Sequence, residues 1–129
     1  MYLINTNIIR FFRDKNLQVF EKFEENEDLI YLCAIVQSEC LFGVFRNQNS
    51  VLEIFYDALF GKYKYISYGK KEAKKFAQIK AYLQKSGKNV EDFDIMIAAV
   101  ALANNLTLVT NNLKHFKNIE NLKVVDWSL

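Results

Sequence analysis

Short apolar runs alternate along the chain with longer stretches whose apolar residues recur at helical spacing. Strands are predicted for the short runs, at residues 1–4, 29–34, 63–68, 106–109 and 123–125. Helices are predicted for the longer stretches, at residues 6–13, 16–25, 35–46, 50–60, 69–84 and 93–103. Because strands that are separated by helices pair in parallel, this order predicts an α/β fold. We expect a three-layer sandwich, with a central parallel sheet of four to five strands flanked by helices.

Local signals refine three of these helices. Thr6 or Asn7 is expected to cap the first helix, and Asn49 with Ser50 is expected to cap the fourth. In the fifth helix one apolar face is predicted, and it consists of Ala73, Phe76, Ala77, Tyr82 and Leu83.

Composition narrows the class of protein. With 129 residues, of which 51% are hydrophobic, the chain can bury one sizeable core, and a single domain over residues 1–129 is predicted. No apolar stretch reaches the roughly 20 residues of a membrane span and no leader peptide precedes the first strand, so a cytoplasmic location is expected. Cys33 and Cys40 lack the companions of a zinc site or a disulfide framework, which predicts two reduced core thiols.

Polar side chains follow the first and the fourth predicted strand where each strand ends. Asn5 and Asn7 come directly after the first strand, and Thr110 to Asn112 come directly after the fourth. The carboxyl ends of parallel strands meet at one edge of a sheet, where the ligand sites of open α/β sheets lie. These side chains are therefore expected to lie close together and to line a site.

Two acidic residues are expected near the same edge. Glu39 lies in the first turns of the helix after the second strand, and Asp94 lies at the start of the most apolar helix. Although they are far apart in sequence, this topology can bring them into one cleft. The alternatives are that Glu39 is an ordinary surface glutamate and that Asp92 or Asp94 only caps its helix.

Four motifs carry a resemblance to a known family. They are YLINTNI at residues 2–8, SECLFGVFR at 38–46, EDFDIMIAAVALANN at 91–105 and LVTNNLKHF at 108–116. In this order the chain resembles the PIN-domain ribonucleases, and more closely the VapC toxins of bacterial type II toxin–antitoxin systems. The resemblance covers the whole chain. It implies a PIN fold, a magnesium- or manganese-dependent endonuclease that cuts RNA, a homodimer, and a cognate antitoxin that blocks the cleft.

Carried over residue by residue, the resemblance assigns Glu39 and Asp94 as catalytic acids that bind the metal ion. Asn5 matches the first catalytic and metal-binding position of the family. Asn112 matches a further catalytic position, with a secondary role.

Supporting positions follow from the same resemblance. Asn7 and Thr110 are expected to hold the metal-binding side chains through hydrogen bonds. Asp92 is expected either to join them as an outer carboxylate or to serve only as a helix cap. His115 is a lone histidine in a predicted late loop and is placed outside the site.

Asn5 is the departure from the family, whose first motif reads D-x-N where this chain has Asn5-Thr6-Asn7. An amide keeps the shape of aspartate but removes a full negative charge and a possible base for a water molecule. Weak metal binding and much reduced or absent ribonuclease activity are therefore expected. A deliberate Asp→Asn change that disarms a toxic nuclease and natural divergence both explain it, and the codon at position 5 of the source gene separates them.

The charge of the chain is uneven. Residues 1–61 carry five basic and nine acidic residues, whereas residues 62–129 carry twelve basic and six acidic ones. A lysine run between residues 62 and 88 is a candidate surface for the phosphate backbone of RNA, and the alternative is a solvated helix face. The positions assigned to RNA binding are Lys70, Lys71, Lys74 and Lys75.

Two further alternatives stay open. If Asn5 is natural, the function is that of a non-catalytic PIN-like module that binds RNA or an antitoxin. Aromatic residues also exceed what one small core buries, so some are expected either in the core or in a groove for the dimer or the antitoxin. These are Phe11, Phe12, Phe42, Phe45, Phe55, Tyr56 and Phe60.

Overall fold

The computed structural model describes all 129 residues, which form five strands and seven α-helices. The strands are β1 (Tyr2–Ile4), β2 (Ile30–Cys33), β3 (Lys64–Ile66), β4 (Thr107–Val109) and β5 (Val124–Val125). The helices are α1 (Thr6–Arg13), α2 (Leu17–Glu25), α3 (Ala34–Asn47), α4 (Ser50–Lys62), α5 (Lys70–Lys85), α6 (Asp92–Ala103) and α7 (Leu113–Phe116). None of the helices has both the length and the apolar character that crossing a membrane requires.

The strands form one sheet in the order β3-β2-β1-β4-β5, and every neighbouring pair is parallel. This confirms the predicted α/β fold with its central parallel sheet. The middle strands are covered on both faces, and Leu3, Ile4, Leu108 and Val109 have no exposed surface. The carboxyl ends of β1, β2 and β4 therefore share one edge of the sheet.

The helix caps differ in part from the prediction. Asn5, and not Thr6 or Asn7, caps α1, because the Asn5 side-chain oxygen accepts from the Thr6 N–H at 2.8 Å. Asn49 caps α4 as predicted, with its side-chain oxygen 3.0 Å from the Leu52 nitrogen. The short helix α7 was not predicted, since four residues are too few to show helical periodicity.

The predicted apolar face of α5 is right only in part, because Leu83 is buried and Phe76 packs against the core but the other three residues are exposed. Ala73 and Ala77 are exposed, whereas Glu72, Ile79 and Leu83 are buried. These buried positions recur at helical spacing on the side that packs against α6. The charged Glu72 on this face hid the pattern, because a buried glutamate is rare in sequence-based reasoning.

Helices α5 and α6 form an antiparallel hairpin, and polar contacts mark both of its ends. Near the turn, the Lys80 ammonium lies 2.9 Å from an Asp92 carboxylate oxygen. At the far end, the Asn104 amide donates to the Glu72 carboxylate at 2.9 Å. This register fixes which residues of the hairpin lie near Asp94.

Candidate active site at the carboxyl edge of the sheet

Asn5 sits at the carboxyl end of β1 and is almost completely buried, with 4% of its surface exposed. Its backbone N–H donates to the Val109 carbonyl at 2.9 Å, which ties the ends of β1 and β4 together. Its side-chain oxygen accepts from the Thr6 N–H, and its side-chain nitrogen donates to the Thr110 hydroxyl at 3.0 Å. Both ends of the amide are therefore occupied by neighbouring protein atoms.

The Thr110 hydroxyl is the centre of a hydrogen-bonded cluster, which we call the Thr110 cluster: Asn5, Asn7, Thr110 and Asn112. Three N–H groups point at the Thr110 oxygen, from the Asn5 amide at 3.0 Å, the Asn7 amide at 3.1 Å and the Asn112 backbone at 3.1 Å. A hydroxyl oxygen offers two lone pairs and one proton, so three donors exceed its capacity as an acceptor. The Thr110 hydroxyl in turn donates its proton to the Asn7 side-chain oxygen over a long distance of 3.4 Å.

Glu39 is linked to this corner through Thr6. The Thr6 hydroxyl donates to a Glu39 carboxylate oxygen at 2.7 Å, and Thr6 is 5% exposed. Glu39 itself is half-buried in the second turn of α3. Thr6, the residue between Asn5 and Asn7, is thus a positioning residue that the sequence interpretation did not assign.

Asp94 lies in the first turn of α6, beside His115 of α7. A carboxylate oxygen of Asp94 is 3.3 Å from the Nδ1 atom of His115, and the Asp94 side chain is 21% exposed. Burial raises the pKa of Asp94, and the neighbouring His115 offsets only part of that rise. The prediction that placed His115 outside the site missed this contact, because α7 was not predicted.

A cavity of about 200 Å³ opens at Asp94. Its other lining residues are mostly polar and come from the loop before α6 and from α7 with the segment after it: Asn89, Val90, Glu91, Lys114, His115 and Asn118. Helices α3 and α6, which carry Glu39 and Asp94, pack against each other. Two carboxylates, one cavity and a neutral amide corner thus lie at the edge predicted for the site.

Known proteins match this chain over most of its length. The family model of the PIN domain matches residues 2–122. The chain belongs to the PIN-domain family. This chain is 30% identical to ribonuclease VapC2 of Haemophilus influenzae over 132 residues, and the match covers 98% of this chain and 97% of that protein. It is 29% identical over 133 residues to the tRNA(fMet)-specific endonuclease VapC of Shigella flexneri, covering 98% of each.

Solved structures extend the likeness to the whole fold. The chain matches a structure of VapBC2 from Rickettsia felis, which is bound to a DNA fragment from the promoter, with a TM-score of 0.91 and 27% identity. The match covers 98% of both chains. Within the PIN domains, this protein therefore falls in the VapC ribonuclease family.

Asp92, which was predicted either as an outer carboxylate or as a helix cap, pairs with a lysine in this PIN domain. Its carboxylate pairs with Lys80 of α5 at 2.9 Å and 3.2 Å, and its side chain is exposed. It makes no hydrogen bond to Asn5, Glu39 or Asp94. The contact holds the turn of the α5–α6 hairpin, so the structure does not bring Asp92 into the cluster.

The four lysines predicted for RNA binding lie along α5. Lys70 and Lys71 are at the end of the hairpin where Glu72 meets Asn104, and Asn104 caps the C-terminal end of α6, ten residues beyond Asp94. At 1.5 Å per helical residue, that is about 15 Å along the hairpin axis from the level of Asp94. Lys74 and Lys75 lie about one turn nearer. Their role in RNA binding stays a prediction.

The donor atoms of the site suit a hard divalent cation in kind but not in number. Glu39 and Asp94 offer carboxylate oxygens, which Mg²⁺ and Mn²⁺ prefer. The Asn5 oxygen is already engaged by the Thr6 N–H. No three acidic, histidine or cysteine side chains converge to hold a metal ion. With an amide at position 5, the acids assigned to the metal ion at this edge are Glu39 and Asp94 alone.

Proposed function

We propose that this protein is the toxin component of a type II toxin–antitoxin system and an endoribonuclease that depends on Mg²⁺ or Mn²⁺. The names of its VapC relatives and the VapBC complexes among the matching structures support this proposal. They also support a cognate antitoxin as its partner, and we propose a homodimer as its oligomeric state. Because it has asparagine at position 5, this chain binds the metal ion weakly and cleaves RNA slowly or not at all.

The Thr110 cluster carries the part of this proposal that concerns Asn5. Three donors converge on one hydroxyl, and the Asn5 amide is one of them. A carboxylate at position 5 would be a stronger acceptor for the Thr110 proton than the Asn7 oxygen at 3.4 Å, and it would leave two lone pairs for the two remaining donors. The surroundings of residue 5 therefore fit an acidic side chain better than an amide, which is what the family motif requires there.

In the active form, two acids of this chain would bind the metal ion and three neighbouring side chains would hold the metal-binding positions in place. Glu39 and Asp94 would hold the divalent ion, which supplies charge neutralisation and an activated water when bound. Thr6 fixes the orientation of Glu39 through its 2.7 Å hydrogen bond, and His115 restrains Asp94. Thr110 fixes residue 5, so the three metal-facing positions depend on partners outside the metal shell.

Titration of Mn²⁺ into the purified chain and into Asn5→Asp, followed by electron paramagnetic resonance, tests the proposal without relying on activity. We expect Asn5→Asp to bind at least about tenfold more tightly, which is about 1.4 kcal/mol, because it restores a full charge. We also expect it to gain cleavage of RNA.

Asn105→Asp is the matched control, because Asn105 is exposed beyond the far end of α6 and gains the same charge. We expect it to change neither Mn²⁺ affinity nor cleavage appreciably. Equal Mn²⁺ affinity and equal RNA cleavage in the parent chain and Asn5→Asp would contradict the proposal.

The second candidate is a non-catalytic PIN-like module that binds RNA or an antitoxin. Asn5 favours it, because a buried amide that already caps α1 needs no metal ion to be stable. The same experiment separates the candidates. Tight RNA binding without cleavage, in Asn5→Asp with saturating Mn²⁺, would support the non-catalytic module.

A further inference from the structure

All three arginines of the chain line one cavity beside Glu39. The cavity has a volume of about 250 Å³ and contains Arg10, Arg13 and Arg46. The other fourteen basic residues of the chain are lysines, and none of them lines this cavity. We call it the arginine cavity. Such a complete separation of the two cationic residue types indicates a task that the guanidinium group performs and the ammonium group does not.

Two helices hold the arginines around the cavity. Arg10 and Arg13 are three residues apart on α1 and so face the same side of that helix, and Arg46 comes from the last turn of α3. The Arg13 guanidinium donates to the Tyr56 hydroxyl at 3.3 Å and pairs with Asp14 at 3.0 Å. The Arg46 guanidinium lies 5.5 Å from the centre of the Phe42 ring.

The arginine cavity has an excess of positive charge. Arg13 has an acidic partner in Asp14, but Arg10 and Arg46 form no ion pair in the structure. Arg10 is exposed, as is Arg46, so both can reach a ligand from solvent. Cys40 also lines the cavity, but burial raises the pKa of its thiol to about 12, so it stays protonated and is not a nucleophile.

The position of the cavity indicates which anion it would take. Glu39 lines it, and Arg10 and Arg13 also line a neighbouring cavity together with Asn7 and Asn111. The arginines therefore extend from Glu39 to the Thr110 cluster, along the edge where the phosphodiester is expected to be cut. A guanidinium fork binds two phosphate oxygens at once, which an ammonium group cannot do with the same geometry.

We propose that the arginine cavity binds a backbone phosphate of RNA next to the phosphodiester held at Glu39 and Asp94. This inference rests on the proposed ribonuclease function and deepens it. An acidic peptide segment of a protein partner offers similar oxygens. The RNA phosphate is favoured because Glu39, a proposed metal ligand, forms part of the same wall.

The test uses the full chain with Asn5, which is expected to bind RNA with little or no cleavage. Binding of a labelled single-stranded RNA oligonucleotide is measured by fluorescence anisotropy in EDTA at several salt concentrations. We expect Arg10→Gln and Arg46→Gln each to weaken binding about tenfold. Each should also reduce the slope of log K against log salt by about 0.7, the value for one phosphate contact of a single strand.

Two further variants separate phosphate recognition from general charge. Arg10→Lys keeps the charge but loses the fork, and we expect it to bind RNA with an affinity between those of the parent and Arg10→Gln. Lys22→Gln removes one exposed positive charge on α2 and is expected to leave RNA binding unchanged. Equal affinities for Arg10→Gln and Lys22→Gln would overturn the proposal.

A substitution at Gly43 tests the cavity without changing any arginine. Gly43 lines the arginine cavity, and a side chain added there would meet open space. Gly43→Leu should therefore fill the cavity and weaken RNA binding, while α3 keeps or gains stability because leucine favours helices over glycine. Gly61→Leu is the matched control, since Gly61 is also helical with open space around it but lies outside the cavity.

The outcomes distinguish this inference from the proposed function. In the Asn5→Asp background, RNA cleavage with an unchanged KM in Arg10→Gln and Arg46→Gln would overturn the arginine cavity and leave the ribonuclease proposal intact. Arginine-dependent RNA binding without any cleavage would support the cavity and contradict the ribonuclease proposal. A hexaglutamate peptide that binds the parent chain but not Arg46→Gln, with RNA affinity unchanged, would assign the cavity to a protein partner instead.

Discussion

Glu72 and Asp94 lie near opposite ends of the α5–α6 hairpin, and these two carboxylates are in opposite states. At one end, Glu72 is 3% exposed, and its oxygens accept from the Gly69 N–H at 2.9 Å and the Asn104 amide at 2.9 Å. At the other end, Asp94 has one partner, His115 at 3.3 Å, and faces a cavity.

The pKa shifts of these two acids differ in sign for a physical reason. Burial opposes the charged form of both groups. At Glu72 the hydrogen bonds from Asn104 and Gly69 outweigh burial and lower the pKa, whereas at Asp94 burial outweighs the help of His115 and raises the pKa. A buried acid whose oxygens accept hydrogen bonds stabilises the fold. A partly buried acid with few hydrogen bonds lowers the stability of the fold, and its oxygens remain available to bind a ligand.

Among the substitutions at these two acids, replacing Glu72 with alanine should change the free energy of unfolding most. We expect Glu72→Ala to lower the free energy of unfolding by about 2–4 kcal/mol, because it removes a charged acceptor of two hydrogen bonds and the cap of α5. Urea unfolding at pH 7 measures the change. Glu24→Ala, at an exposed position of α2, is the control, and an equal loss in both variants would show that Glu72 is an ordinary surface acid.

Replacing Asp94 with asparagine should have a smaller and opposite effect on stability. We expect Asp94→Asn to raise the free energy of unfolding at pH 7 by less than about 1 kcal/mol, since the carboxylate is partly solvated and has His115 nearby. In the Asn5→Asp background it should also weaken Mn²⁺ binding to about the level of the parent chain. Asp57→Asn, at an exposed position of α4, is the control for stability.

The dependence on pH separates the two acids in the same experiment. The raised pKa of Asp94 means that its destabilising effect is absent at low pH and grows as the pH rises above the ordinary value of 3.8. The lowered pKa of Glu72 means that its contribution is present above the ordinary value of 4.5 and is lost as the pH falls below it. The stability differences of Asp94→Asn and Glu72→Gln from the parent should therefore change in opposite directions between pH 3 and pH 7.

Charge reversal of the lysines near Glu72 should have the smallest effect of these substitutions, and the effect should be on RNA binding. Reversal of Lys74 and Lys75 to glutamate should weaken RNA binding and flatten its salt dependence, by about 0.7 in slope for each phosphate contact that is lost. Because these lysines are farther along the hairpin from Asp94, we expect a smaller loss than for the arginine cavity. Reversal of Lys22 and Lys123 is the control. An unchanged slope would identify the lysine run as a solvated helix face.

The order of strands and helices was predictable from the sequence, because strands buried on both faces are short continuous apolar runs, whereas helices repeat their apolar residues about every 3.6 positions. All five strands and six of the seven α-helices were predicted, with ends that shift by one or a few residues. The meeting of Asn5 and Thr110 at one edge was also predictable, since the carboxyl ends of parallel strands lie together there. The apolar face of α5 was predicted only in part, because the buried and charged Glu72 interrupts its apolar pattern.

The partner of each polar side chain was decided by the tertiary structure. Asn5 and Thr110 are 105 positions apart in sequence and still share a hydrogen bond. His115 reaches Asp94 only because α7 follows β4 at that edge, and Arg46 joins Arg10 and Arg13 only because α3 packs against α1. Periodicity reports which face of an element is buried. Hydrogen bonds and shared cavities depend on the direction and register of single side chains, which only the packed fold determines.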